Sequence, residues 1–263
     1  MKLRRYLRLV RVFASASIAA QLEYRVNFII NLISSFLTAG GALFGLAVLY
    51  GDGRPLGGWS YREALVVVGL YTFVQGFIGA FLAPNLNAIV EAVRTGTLDF
   101  TLLKPIDAQF LVSARNVNLF RLTDLLTGLG LIVWAAHGVA GVTLSGVLTG
   151  ALLIVAALLI VYAVWFMLTT TAFWFVKVAN LTELFSSLFR AGQMPVSAFP
   201  GWVRLLFTSI VPVAFITTLP AEAIVGRVHL SSAATAAGVT IVLLTVSRWF
   251  WRFAIRSYTS ASS

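Results

Sequence analysis

The chain of 263 residues is 59 % hydrophobic and only 11 % charged, with a mean hydropathy of +0.93. This composition excludes an ordinary soluble domain and predicts an integral membrane protein without room for a large soluble domain. The net charge of +10 comes from basic residues at the ends of apolar segments, which is typical of topology marking and not of a nucleic-acid surface. The chain has no cysteine and its two histidines stand alone, so we expect no metal site.

Residues 1–25 carry basic and apolar side chains at helical spacing. The basic positions Arg4, Arg8 and Arg11 fall on one face, and the apolar positions Leu3, Leu7, Val10 and Ala14 fall on another. This pattern predicts an amphipathic helix at the cytoplasmic membrane interface, with its basic face toward anionic headgroups. The alternative is a plain basic tail.

Six apolar segments are candidate transmembrane helices, because about 20 residues suffice to cross the bilayer. They cover approximately residues 26–50, 64–90, 119–140, 147–176, 180–194 and 233–253. Pro84 predicts a kink near the cytoplasmic end of the second span. Trp249 and Trp251 stand where interfacial aromatic residues belong, and a short tail, residues 257–263, follows the last span.

The segment between the second and third spans, residues 91–107, begins EAVRTGTLDFTLLKP and is the most polar part between two very apolar ones. Glu91 and Arg94 are spaced to pair on a helix, and Gly96 supplies the left-handed position that stops it. Thr97 is the predicted N-cap of a new short helix, with Asp99 in its first turn, where the helix dipole favours negative charge.

The apolar positions of this short helix are Leu98, Leu102 and Leu103. Pro105 disfavours helical geometry at Lys104, so the helix is expected to end there, and Asp107 can cap the next one. The 91–107 segment is therefore predicted to be a structured cytoplasmic connection that meets a soluble partner. The alternative is an ordinary cytoplasmic loop.

The fifth predicted span is short and contains two charges, Glu183 and Arg190. Charged residues at membrane depth normally face a bundle interior or water, so both are functional candidates. Their spacing of seven puts them on one face, but too far apart for an easy direct pair. Alternatively, Glu183 lies in the cytoplasmic interface and Arg190 snorkels or pairs with another helix.

Residues 195–226 are apolar but contain four prolines. We predict a re-entrant hairpin in the outer leaflet that closes the external end of a pathway, because proline breaks the helix where the chain must turn. The alternatives are one straight span and a soluble-facing loop. A straight crossing would move Arg248, Arg252 and Arg256 to the outer side. The predicted gate residues are Pro195, Phe199, Pro200, Trp202, Pro212, Phe215 and Pro220.

Lysine and arginine cluster at residues 2–25, 94–121, 177 and 248–256. The remaining loops carry balanced charges or none. The positive-inside rule therefore places both termini in the cytoplasm, with six spans.

Two segments resemble the membrane subunit of ABC-2 type exporters, in a bacterial subgroup. One is EAVRTGTLDFTLLKPID, with Glu91, Gly96, Leu98, Leu103 and Pro105 in the expected order. The other is FPGWVRLLFTSIVPVAFITTLPAEAIVG, residues 199–226. The basic amphipathic start and the span count agree, so the resemblance covers essentially the whole chain, although Met194 stands before Pro195 where an aromatic residue is expected.

The resemblance implies an all-α integral membrane protein with six transmembrane helices, an N-terminal amphipathic helix, a cytoplasmic coupling helix and an outer-leaflet re-entrant hairpin. It implies a permease of the bacterial inner membrane that works as a homodimer or with a related permease, on two ATPase subunits that bind ATP and Mg²⁺. Family members export lipids, glycan chains, peptides and drugs. The residues implied in coupling to the ATPase are Glu91, Arg94, Gly96, Leu98, Asp99, Leu102, Leu103, Lys104 and Pro105.

An intramembrane enzyme or a membrane assembly factor is the alternative function. An enzyme would need a nucleophile or a metal set at membrane depth. The sequence shows no such set, so we expect no catalytic residue in this chain.

Overall fold

A computed structural model describes residues 2–22, 25–175, 178–210 and 212–258. Within these residues the chain is all-α, as predicted, and β pairing is limited to an isolated bridge between Leu56 and Trp59. The α-helices are α1 (Lys2–Leu22), α2 (Arg25–Leu49), α3 (Tyr61–Phe77), α4 (Ala83–Arg94), α5 (Asp99–Leu102), α6 (Ala108–Ala114), α7 (Leu122–Ala136), α8 (Leu144–Thr170), α9 (Val178–Phe189), α10 (Gly201–Leu205), α11 (Leu219–Ile224) and α12 (Leu230–Arg256).

Among the described residues, five helical segments are long and apolar enough to cross a membrane. They are Ile29–Leu49, Tyr61–Arg94, Leu119–Ala136, Leu144–Phe173 and Leu230–Arg256. These segments match the first, second, third, fourth and sixth predicted spans. The third ends four residues earlier than expected, where His137 caps α7.

The fifth predicted span is shorter than a membrane-spanning helix. Its α9 has 12 residues and continues only into a 3-10 segment, Arg190–Gln193. At about 1.5 Å and 2.0 Å rise per residue these two pieces reach roughly 26 Å, short of the roughly 30 Å of a bilayer core. The count of six spans therefore stays a prediction. Lys177, predicted to mark the end of the fourth span, lies outside the described residues.

Pro84 is accommodated by a π-helical segment, Ile78–Leu82, between α3 and α4. Proline has no N–H to donate to the carbonyl four residues earlier, which belongs to Ala80. That carbonyl instead accepts from the backbone N–H of Asn118 at 2.8 Å. A π segment thus precedes the proline and a neighbouring segment satisfies the freed acceptor, while the kink itself stays a prediction.

Glycines allow the central helices to approach closely. A methyl group at Gly76 would lie 2.5 Å from the backbone N of Leu125, and one at Gly128 would lie 2.3 Å from the backbone N of Phe73, so α3 and α7 pack backbone to backbone. Gly146 and Gly150 of α8 also approach α11 closely, since a methyl group there would lie 2.7 Å from the carbonyl oxygen of Ala223 and 2.5 Å from the side chain of Ile224. Small residues four apart are typical of helix contacts within membranes.

The two ends of the bundle differ in charge. Tyr6 of α1 packs edge-on against Phe110 of α6, with ring centroids 4.6 Å apart, and Arg248 of α12 forms an ion pair with Asp107. These contacts gather residues 2–22, 94–121 and 248–256 at one end, here called the basic end. The opposite end, here called the loop end, contains residues 51–60, 137–143, 195–200 and 226–229, with Gly226 close to the Gly141 carbonyl.

Two predictions concern the ends of the chain: an amphipathic helix at the N-terminus and interfacial tryptophans at the end of the last span. The helix predicted for residues 1–25 is confirmed as α1, and its apolar Leu7 is 61 % exposed; its place at a membrane interface stays a prediction. The interfacial position predicted for Trp251 stays a prediction as well; its side chain is buried, with ring centroids 5.1 and 5.6 Å from those of Phe166 and Phe173. Trp249 is exposed.

Candidate functional site

The 91–107 segment reverses the chain at the end of α4. Gly96 has φ of 73°, the left-handed conformation predicted for it. The N–H of Leu98 then donates to the carbonyl of Ala92 at 3.2 Å, which folds the segment back on the helix it has just left. Before the turn, Arg94 donates to both carboxylate oxygens of Glu91, at 2.9 and 3.1 Å, so the predicted pair is confirmed.

The start of the short helix differs from the prediction by one residue. Leu98, and not Thr97, precedes the first helical residue of α5, and no side chain caps it. The Thr97 hydroxyl lies instead 2.9 Å from the hydroxyl of Thr95. The N-cap prediction for Thr97 is therefore wrong, because burial of Leu98 fixes where the helix begins. Asp99 lies in the first turn, as predicted.

The apolar residues of α5 do not share one face. Leu98 is fully buried within the chain, whereas Leu103 is 82 % exposed and Phe100 is 70 % exposed; Leu102 is intermediate. Leu98 therefore anchors the short helix, and Phe100 and Leu103, three positions apart, form its outward apolar surface. Sequence reasoning missed Phe100, although the i, i+3 spacing of the two residues is a signal that could have indicated it.

The residues that follow α5 include two predicted residues on the surface, Lys104 and Pro105, and one, Asp107, that contacts another helix. Lys104 and Pro105 are exposed, and α5 ends at Leu102, earlier than predicted. Asp107 caps α6 as predicted, accepting from the N–H of Phe110 at 3.0 Å. The guanidinium of Arg248 also donates to Asp107, which lowers the pKa of this carboxyl group and ties α12 to α6.

Hydrogen bonds from the side chains of Asn85 and Gln21 hold residues 116–119 in place, and this group is here called the polar platform. The buried Asn85 side chain donates to the carbonyl of Asn116 at 2.6 Å and accepts from the N–H of the same residue at 2.7 Å. Gln21 of α1 likewise donates to the carbonyl of Val117 at 2.5 Å and accepts from the N–H of Leu119 at 2.9 Å. The segment 116–119 is thus held by α1 on one side and by α4 on the other. None of these residues was predicted.

Glu183 and Arg190 form a direct ion pair at 3.2 Å, so the prediction that they are too far apart is wrong. Side chains on a helix lean toward its N-terminus, and a long arginine can therefore reach back two turns. Their side chains are 72 % and 62 % exposed on the surface of the chain. Neither residue faces the interior of this chain.

Both ends of the 195–226 segment contact the loop between the first two spans. The Ser197 hydroxyl accepts from Trp59 Nε1 at 2.9 Å and donates to the carbonyl of Gly57 at 3.1 Å. Arg227, just beyond the segment, donates to the carbonyl of Gly58 at 2.9 Å and forms an ion pair with Glu63 at 2.5 Å. The segment therefore starts and finishes at the loop end of the bundle.

Between these contacts the helix is broken repeatedly. The chain passes through α10, a π segment Leu206–Ile210, a second π segment Ala214–Thr218, and α11. Val211 lies outside the described residues. Among the predicted gate residues, Pro195, Pro212 and Pro220 are buried, Phe199 and Phe215 are intermediate, and Pro200 and Trp202 are exposed. Phe199 packs edge-on against Phe207 at 5.4 Å.

The five apolar helices and the separation of charge between the two ends define a multi-pass membrane protein. A family model described as ABC-2 family transporter protein matches residues 36–262, which is most of the chain. The chain therefore belongs to the ABC-2 transporter family, as the sequence resemblance indicated, and is the membrane component of a transport system. No curated protein matches the chain.

Proposed function

We propose that this protein is the permease subunit of an ABC-2 exporter of the bacterial inner membrane, driven by a separate ATPase subunit that docks on α5. Family membership implies an ABC ATPase partner in general. The observation that carries the proposal is the exposed pair Phe100 and Leu103 at the short helix α5, which the buried Leu98 anchors to the rest of the chain. ATP and Mg²⁺ would then be bound by the partner, and this chain would supply the pathway as a homodimer or with a related permease.

The surface around α5 suits a protein partner. A water-facing aromatic residue and leucine, side by side, cost free energy unless another surface covers them. The paired charges Glu91 and Arg94, at the end of the preceding helix α4, are solvated, and solvated charges are typical of the polar rim of an interface. The basic end that carries the patch is the cytoplasmic end under the positive-inside rule, where an ATPase subunit would be found.

The positive-inside rule, which makes the basic end cytoplasmic, assigns the 195–226 segment to the outer side. Its two ends contact the loop at residues 57–63, far along α3 from the 91–107 segment. A broken helical hairpin that enters and leaves the bilayer on one side has this arrangement, and its backbone is satisfied by protein where the helix breaks. We infer that it closes the external end of the pathway, with Trp202 and Phe199 near the opening and the buried prolines at the bends.

The docking proposal is tested with the double variant Phe100→Glu/Leu103→Glu. We expect it to insert and fold normally, yet to lose most co-purification with a co-expressed ATPase subunit of the source organism, because two charges would be desolvated in an apolar groove. Leu230→Glu is the matched control, since that leucine is 87 % exposed at the loop end. Equal capture of the ATPase by the double variant and the control would contradict docking on α5.

A further inference from the structure

A cavity lies beneath the short helix α5, at the basic end. Its volume is about 150 Å³, and its walls come from α1, α4, α5, α6 and the residues that follow α6. A single water needs only about 10–15 Å³, so the cavity accommodates a group of several heavy atoms. Its floor is apolar, with Ile89, Leu98 and Leu111 buried within the chain.

The charged residues that line this cavity are all basic. Lys104 and Arg115 both line it, together with the hydroxyl-bearing Thr101 and the amide-bearing Asn116. The residues described around the cavity include no carboxylate. Within the described part of the chain, neither Lys104 nor Arg115 has an ion pair or a hydrogen bond through its side chain. Both side chains are exposed to solvent, and two cations that line one concave site suit an anionic ligand.

We propose that this cavity binds a phosphate group, with Lys104 and Arg115 as the cationic contacts and Thr101 and Asn116 as neutral ones. Arginine binds phosphate oxygens through its planar guanidinium and lysine acts as a point charge on them. The group is the headgroup phosphate of an anionic lipid or a free phosphate anion. The apolar floor and the position beside α1, a helix predicted to lie at the membrane interface, suit a lipid, since basic pockets at that depth bind anionic headgroups.

Occupancy of the site has a structural consequence for the proposed docking helix. Lys104 follows α5 and Arg115 follows α6, so one bound phosphate bridges the exits of the two helices. Leu98, which anchors α5, is part of the same wall. A bound phosphate therefore holds α5 against the platform formed by Asn85 and Asn116. The site rests only on the cavity and its charges, and it stands whether or not an ATPase docks on α5.

The test measures phosphate binding by the purified full chain in detergent, without any ATPase, using native mass spectrometry. The probes are phosphatidylglycerol and inorganic phosphate, added separately. Lys104→Gln/Arg115→Gln should weaken phosphatidylglycerol binding by roughly tenfold or more, because two charge-assisted contacts are lost. Arg252→Gln/Arg256→Gln removes the same charge from the basic end outside the cavity and should change binding less than about threefold.

A second variant separates the cavity from general attraction of anions. Ala88→Phe, at an exposed position on the cavity wall, fills space while keeping every charge, and it should also weaken binding roughly tenfold. It decides the matter if the double variant does not fold. If the variants weaken the binding of inorganic phosphate but not that of phosphatidylglycerol, the site is supported and its ligand is a soluble phosphate anion. Binding unchanged in Ala88→Phe, or lost equally in the arginine control, overturns the proposal.

Discussion

At the residue scale, Leu98 and Phe100 lie two positions apart and have opposite environments. Leu98 is fully buried, whereas Phe100 is 70 % exposed. Their chemistry is similar, but residues two apart on a helix lie on nearly opposite faces, and the turn at Gly96 folds the segment back so that the Leu98 face packs inward. Because of this difference, the same substitution at the two positions should act on different properties of the protein, stability at one and partner binding at the other.

We expect Leu98→Glu to lower the free energy of unfolding by roughly 2–5 kcal/mol, because it removes a buried leucine and introduces a charge without a partner. Phe100→Glu and the matched Leu103→Glu should change it by less than about 1 kcal/mol, since both side chains are exposed. Thermal unfolding in detergent compares the three variants. A larger loss for Phe100→Glu than for Leu98→Glu would show that the two roles are reversed.

At the element scale, the π segment Ile78–Leu82 and the segment 116–118 stabilise each other. Asn85 is buried and bonds both backbone polar groups of Asn116, while Asn118 donates to the carbonyl that Pro84 leaves without its usual partner. This contact joins the second span to the start of the third. Gln21 of α1 bonds the same segment, so α1 and α4 are both tied to it.

Asn85→Ala should lower stability by about 1–3 kcal/mol, because the N–H and C=O groups of Asn116 would lose their partners away from water. Asn87→Ala is the matched control, since Asn87 lies two residues further on the same helix and is exposed; its effect should stay within about 0.5 kcal/mol. Thermal unfolding of both variants checks the prediction. Equal shifts for the two asparagines would mean that the contact between Asn85 and Asn116 adds nothing to stability.

Long elements could be predicted from the sequence because hydropathy accumulates over many residues. The last span, predicted as 233–253, is observed as the helix Leu230–Arg256. The turn at Gly96 could also be predicted, because glycine readily adopts the positive φ that ends a helix. The short elements could not be predicted in this way. A helix of four residues is too short for its apolar pattern to show whether Leu98 or Phe100 faces the interior. The burial of Trp251 depends on Phe166 and Phe173, which are distant in sequence.

At the scale of the whole molecule, the contacts sort the chain into two ends that agree with the distribution of charge. Residues of α1, the 91–107 segment and the end of α12 meet at the basic end. The 195–226 segment begins and finishes at the loop end. If the basic end is cytoplasmic, as the positive-inside rule predicts, one orientation accounts for all of these positions.

Single cysteines test this orientation in a chain that has none of its own. Asp52→Cys should react with a membrane-impermeant maleimide in intact cells, and Thr97→Cys only after permeabilisation, because these exposed residues lie at opposite ends. Val66→Cys, fully buried, should stay unlabelled in both conditions. Gly57 is unsuitable, since a side chain there would lie 2.7 Å from the backbone N of Ala198. The reverse labelling pattern would place the basic end outside.

The central claim is that an ATPase subunit docks on the outward face of α5. Photo-crosslinking measures this contact directly, with p-benzoylphenylalanine placed at position 100 or 103 in the complex with a co-expressed ATPase. We predict a covalent adduct with the ATPase from both positions and none from position 230, which is even more exposed, at 87 %, but lies at the loop end. An intact complex that gives no adduct from positions 100 and 103 would contradict the claim.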